Sequence, residues 1–177
     1  RMGELESYFS KSYCQMTYIM YDVATKTAAS PVALANGDAA LYSASQALGM
    51  SYLMRAFPFL LSMKVVALPM EELKAAGGSR HGLLSGNMKG MKECAERMVG
   101  VVEEHLNVVR KVVASADPAT CRAVVPLFYN LIYVQDFMSQ LKRVDYDLCD
   151  SKLHLRRLRA DLQLAKAGIW HGKTFLG

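Results

Sequence analysis

Residues 47–73 read ALGMSYLMRAFPFLLSMKVVALPMEEL, and the fold turns on how that stretch is read. From Asp38 onward small side chains (Ala39, Ala40, Ser43, Ala44, Ala47, Gly49) recur beside Leu41, Leu48, Leu53 and Met54. Small residues let neighbouring helices approach from several sides, so 38–57 is expected to be a helix at the centre of a bundle. Pro58 lacks an N–H and its ring meets the preceding turn, so it is expected to kink or end that helix. KVVALP (64–69) then reads as an extended connector, and Pro69 is placed to open a short helix in PMEELKAAGG. The apolar tract 39–54 stops at Arg55 and is diluted by Ser43, Ser45, Gln46 and Ser51. It falls short of a membrane span.

Working outward, Glu4 to about Ala29 reads as one helix with Leu5, Tyr8, Phe9, Tyr13, Met16, Met20 and Val23 on its apolar face. GGSRHGLLSGNMKG (77–90) reads as a loop, because glycine and serine interrupt any periodic pattern. It lacks the spacing of a phosphate-binding P-loop. Residues 87–115 form a long amphipathic pattern carrying Met91, Cys94, Met98, Val101, Val102, His105, Leu106 and Val109. Asp117-Pro118 is an N-cap followed by proline at the first helical position, opening a helix that runs to about Arg143 with a bend at Pro126. A last helical segment is expected from about Ser151 to Trp170. No repeat and no alternating strand and helix pattern is present, so the fold class is all-α.

At 177 residues, 52% hydrophobic and 21% charged, the chain suits one packed domain spanning 1–177. Its eleven methionines fit a helical core. It opens RMGELESYF, with neither an initiating Met nor a targeting sequence, which is read as a mature or partial protein. The formal charge is +5, and between Lys142 and Lys173 eight Lys/Arg stand against four Asp. The basic residues Lys142, Arg143, Lys152, Arg156, Arg157, Arg159 and Lys166 therefore suit a solvated helix face, an anionic-lipid contact or an RNA contact.

Catalytic equipment is sparse. Cys14, Cys94, Cys121 and Cys149 form no CxxC pair, and His81, His105, His154 and His171 form no HExxH, so neither a disulfide framework nor a zinc site is suggested. No metal or cofactor is expected. There is no DDxxD and no Ser/His/Asp elbow. Asp145, Asp147 and Asp150 in RVDYDLCD diverge on any regular helix, and a capping or turn role suits them better than Mg²⁺ chelation.

Five pieces in order, ELESYFSKS, ALGMSYLMRAFPF, KVVALPMEEL, KRVDYDLCD and IWHGKTF, make the chain resemble the squalene/phytoene synthase family. The resemblance implies an isoprenoid-synthase-like helical bundle. It covers the C-terminal two-thirds of the family fold, with no counterpart to the portion bearing the first aspartate-rich helix. In catalytic members the arginine of this helix is followed by an aspartate, with a second four residues later, and the pair holds Mg²⁺ bridged to a prenyl diphosphate. Here those places, after Arg55, are Ala56 and Leu60. Without the hard oxygen ligands the leaving diphosphate is not neutralised, so no catalytic residues are expected and the chain reads as a degenerate enzyme. Arg55 is expected to persist as a buried ion-pair or helix-packing residue.

RAFP also resembles the branch containing the mitochondrial complex I assembly factor, where Arg-Ala replaces Arg-Asp. That likeness implies an assembly factor in the matrix or on the matrix face of the inner membrane. Protein subunits of respiratory complex I would be its first partners, and the basic last fifth of the chain supports the mitochondrial ribosomal large subunit as an equal second. In the second case the basic segment would touch rRNA. The alternatives are a prenyl-diphosphate transferase with ligands supplied from elsewhere, or a lipid-binding protein retaining the isoprenoid cavity.

Overall fold

In a computed structural model describing residues 1–27, 36–154, 161, 162 and 165, the chain forms eight α-helices. They are α1 (Met2–Lys11), α2 (Tyr13–Thr27), α3 (Gly37–Ser62), α4 (Met70–Ala75), α5 (Arg80–Leu84), α6 (Met91–Ser115), α7 (Pro118–Val124) and α8 (Leu131–Arg143). Two 3-10 turns, Val125–Phe128 and Ser151–His154, complete the described elements. No strand occurs among the described residues, so the all-α class holds. None of their helices is long and apolar enough to cross a membrane.

The expected central helix is α3, which packs against α1, α2, α6 and α8. Ala40, Leu41, Ala44, Ala47, Met50, Met54 and Phe57 are buried along it, with Ser43, Ser45, Gln46 and Ser51 buried among them. The hydroxyls are satisfied locally, Ser45 Oγ donating to Leu41 O at 2.7 Å and Ser51 Oγ to Leu48 O at 2.8 Å. Gln46 Nε2 reaches across to Glu6 O of α1 at 2.9 Å. Gly49 lies under the Phe9 ring, and a Cβ there would stand 2.4 Å from Phe9 Cδ1. The absent side chain is what lets α1 lie so close.

Several expectations are corrected. Pro58 does not end α3, which continues to Ser62. One lost N–H donor is tolerated, and the end is set instead by Lys64 in the left-handed region (φ 61). There Lys64 N donates to Leu61 O and Val65 N to Leu60 O, each at 2.9 Å, the bonding of a Schellman motif. Asp145 (φ 54) ends α8 in the same way, with Tyr146 N donating to Leu141 O at 2.8 Å.

The single N-terminal helix is broken at Ser12, whose hydroxyl donates to the Tyr8 carbonyl at 2.9 Å. Its apolar face is buried only in part, Leu5 and Tyr13 packing on the core beside Phe9. Phe9 and Cys14 are buried, whereas Tyr8, Met16, Met20 and Val23 are exposed. The side of α2 turned inward runs through Cys14, Thr17 and Tyr21, where Ser45 Oγ of α3 lies 3.0 Å from Thr17 Oγ1.

The expected loop 77–90 contains α5, capped by Ser79 Oγ accepting from Gly82 N at 3.0 Å. The long helix begins at Met91 rather than 87, because Gly90 is left-handed (φ 77). Its inward stripe is as expected, with Met91, Cys94, Met98, Val102, Leu106 and Val109 buried. Asp117 caps α7 through Thr120 N at 3.0 Å. Pro126 splits rather than bends the following segment, giving a 3-10 turn before α8. Beyond Ser151–His154, the helix expected to Trp170 falls mostly outside the described residues, although Asp161, Leu162 and Ala165 are helical.

Candidate functional site

The second half of α3 carries Arg55, Ala56 and Leu60. Ala56 and Leu60 are one turn apart on a shared, half-buried face, and both side chains are apolar. Arg55 is not buried. It is exposed and forms no ion pair among the described residues, which corrects the expected buried role. The reason is angular: the core side of α3 passes through Met50, Met54 and Phe57, and Arg55 projects well away from that line.

Arg55 lines a shallow cleft of about 10 Å³ between α3 and α8, with Ser51, Tyr52, Asn130, Tyr133, Val134 and Phe137. At its edge Tyr133 donates its phenolic O–H to Asp161 Oδ1 at 3.0 Å. The cleft is too small for a prenyl chain, yet it offers a guanidinium and polar neighbours to a single acidic group at the surface. The α8 contribution was not foreseen from sequence. Its only signal there is the helical spacing 130, 133, 134, 137.

The basic candidates are partly brought together. Lys142 and Arg143 occupy the last turn of α8, and Lys152 sits on the 3-10 turn that packs against α8. Arg143 and Lys152 are exposed, while Lys142 is paired with Glu103 of α6. Arg156, Arg157, Arg159 and Lys166 lie outside the described residues. The neighbouring aspartates have separate partners: Asp145 pairs with Lys92 at 2.8 Å, Asp147 accepts from Cys149 N at 2.9 Å, and Asp150 accepts from Lys152 N at 2.8 Å. They act as turn residues, as expected. Among the described residues no group of three His, Cys, Asp or Glu is placed to hold a metal ion.

Buried Cys94 and half-buried His105 are shifted by their surroundings. Burial pushes the Cys94 thiol up to about 11, with Glu72 adding to the effect. Burial lowers the His105 imidazole, opposed by Glu6 and Glu104. His105 Nε2 is 3.8 Å from Glu6 Oε1, too far for a hydrogen bond, so burial prevails. Its ring meets Tyr42 edge to face at 6.1 Å. His105 thus joins α1, α3 and α6, while Cys94 of α6 lies 3.9 Å from Pro69 O at the start of α4, and neither lines the cleft.

The described residues form a helical bundle round one long central helix, with a shallow cleft along that helix's second half. The model of the squalene/phytoene synthase family matches residues 2–160, and the chain belongs to that family. No curated protein and no solved structure matches it.

Proposed function

We propose that this chain is a non-catalytic member of its family, working as a mitochondrial assembly factor in the matrix or on the matrix face of the inner membrane. The observation that carries the reading is the pair Ala56 and Leu60. They stand one turn apart on α3 where the catalytic members resembled by this helix place aspartates. Prenyl-diphosphate ionisation depends on a metal held against the leaving group, and two methyl-bearing side chains supply no ligand for it. What remains is a packed scaffold whose exposed groups do the work. Respiratory complex I is the first client, following the RAFP likeness. The ribosomal large-subunit precursor is the second, favoured by exposed Arg143 and Lys152 at the start of the basic segment.

The test is to tag the full-length protein in its own cells, separate mitochondrial extract on a low-salt gradient, and identify co-migrating proteins and RNA. Complex I subunits support the first client, and large-subunit proteins with rRNA support the second. Migration as a free monomer overturns the assembly reading.

A further inference from the structure

α1 is held on the bundle by few contacts. Phe9, seated over Gly49 of α3, is its one buried residue, and Met2 and Leu5 are partly covered. An element with so little buried apolar surface belongs to the part of a protein that opens locally before the core does. Arg1 pairs with Glu71, but both side chains are exposed and such a pair contributes little. The remaining ties are polar and meet at Glu6. Gln46 Nε2 of α3 donates to Glu6 O at 2.9 Å, while Glu6 Oε1 stands 3.8 Å from His105 Nε2 of α6.

That second contact is incomplete. At 3.8 Å no hydrogen bond forms, and His105 Nε2, like Gln46 Oε1, is shut off from solvent without a partner. Among the described residues, the titratable groups facing the imidazole are Glu6 from α1, Tyr42 from α3, whose ring meets it edge to face, and Glu104 on α6 itself. Burial raises the Tyr42 phenol, so it stays neutral near pH 7, and Glu104 is exposed. A proton taken up by the ring therefore places a charge where the nearest carboxylate does not reach it. Burial outweighs both carboxylates and lowers the His105 value, so the neutral ring favours the closed arrangement. That contribution is complete above 6.5 and is lost as pH falls through the lowered value. Moving α1 away lets water reach the ring, and the break at Ser12 between α1 and α2 supplies a pivot.

We propose that α1 is a proton-sensitive strap, which pivots at Ser12 and loosens from α3 and α6 when His105 takes up a proton. Loosening uncovers Gln46 and Gly49 on the central helix. The device is independent of the assembly reading.

The test is hydrogen–deuterium exchange of the full-length protein at pH 7.5 and 5.5, read by mass spectrometry with intrinsic exchange rates divided out. An opened His105 titrating at its ordinary 6.5 raises the opening equilibrium by about tenfold at most over that interval. Protection of α1 should therefore fall several-fold relative to α8 while the far-ultraviolet circular dichroism is unchanged, and His105→Gln should abolish the fall. Glu6→Gln gives a second reading. Removing the carboxylate that opposes burial lowers the His105 value further, so the fall should grow toward that limit. Where His105→Gln does not fold, Glu6→Gln decides. Unchanged α1 protection, an equal loss in α8, the same fall in His105→Gln or a smaller one in Glu6→Gln overturns the proposal.

Discussion

Gly49→Ala opposes two effects whose magnitudes differ. Alanine in place of glycine inside a helix favours the helix by about 1 kcal/mol. At Gly49, however, the new Cβ would lie 2.4 Å from Cδ1 and 2.5 Å from Cγ of Phe9, a ring that is 3% exposed. Cγ is close to the Phe9 backbone, so the ring cannot swing aside without moving α1 relative to α3. Comfortable carbon contacts are about 3.5–4.0 Å, so a displacement of over ~1 Å is required, at the upper end of the roughly 1–3 kcal/mol that overpacking costs. The net expectation is a loss of about 2 kcal/mol. Phe9→Ala alone should cost about 3–5 kcal/mol of a total stability of about 5–15 kcal/mol. In that background Gly49→Ala meets no ring and should stabilise by about 1 kcal/mol. Urea unfolding of the four proteins, followed by far-ultraviolet circular dichroism, gives the cycle, and a coupling of about 3 kcal/mol is expected. A stabilising Gly49→Ala in the native background, or a coupling under about 0.5 kcal/mol, refutes the packing account.

Three further outcomes follow from local environments. His105 has a lowered folded pKa, so its neutral form favours the fold: its contribution is complete above the unfolded value of 6.5 and is lost as pH falls through the folded one. Melting temperatures from about pH 7.5 to 5 should therefore fall more steeply for the native protein than for His105→Gln, and parallel curves would count against it. Cys94, raised to about 11 and buried, should resist iodoacetamide in the folded protein, whereas exposed Cys149 reacts, as peptide mapping would show. Equal labelling would mean that α6 is not packed as described. If the basic segment contacts rRNA, reversing Arg156, Arg157 and Arg159 should weaken particle association in a salt-dependent way, whereas unchanged association at low salt removes that contact.

The central helix was legible because its small residues and its Leu and Met follow one pattern from Asp38 to Phe57, and the Asp117-Pro118 cap because the cap and its proline are adjacent. The inward face of α2 was not legible. Its buried side carries Cys14, Thr17 and Tyr21, while Met16, Ile19, Met20 and Val23 stand outside, so a hydrophobic count points the wrong way. Pro58 misled because proline's cost is local, and the Lys64 cap together with the packed Phe57 decides where α3 ends. Ala56 and Leu60, apolar and one turn apart, were visible in RAFPFL. The cleft beside them was not, since Tyr52 and Arg55 meet Asn130 and Tyr133 only through the packing of α3 on α8. Tertiary neighbours 75 or more residues apart leave no mark in local periodicity.

The claim that the scaffold has lost its chemistry is tested most directly by incubating the full-length protein with farnesyl or geranylgeranyl diphosphate and Mg²⁺ and measuring released diphosphate. On the proposed reading that Ala56 and Leu60 stand where catalytic members carry aspartates, release should be the same with Mg²⁺ as without it and equal to the protein-free control. Turnover that requires Mg²⁺ would contradict the account and return the chain to the enzymes of its family.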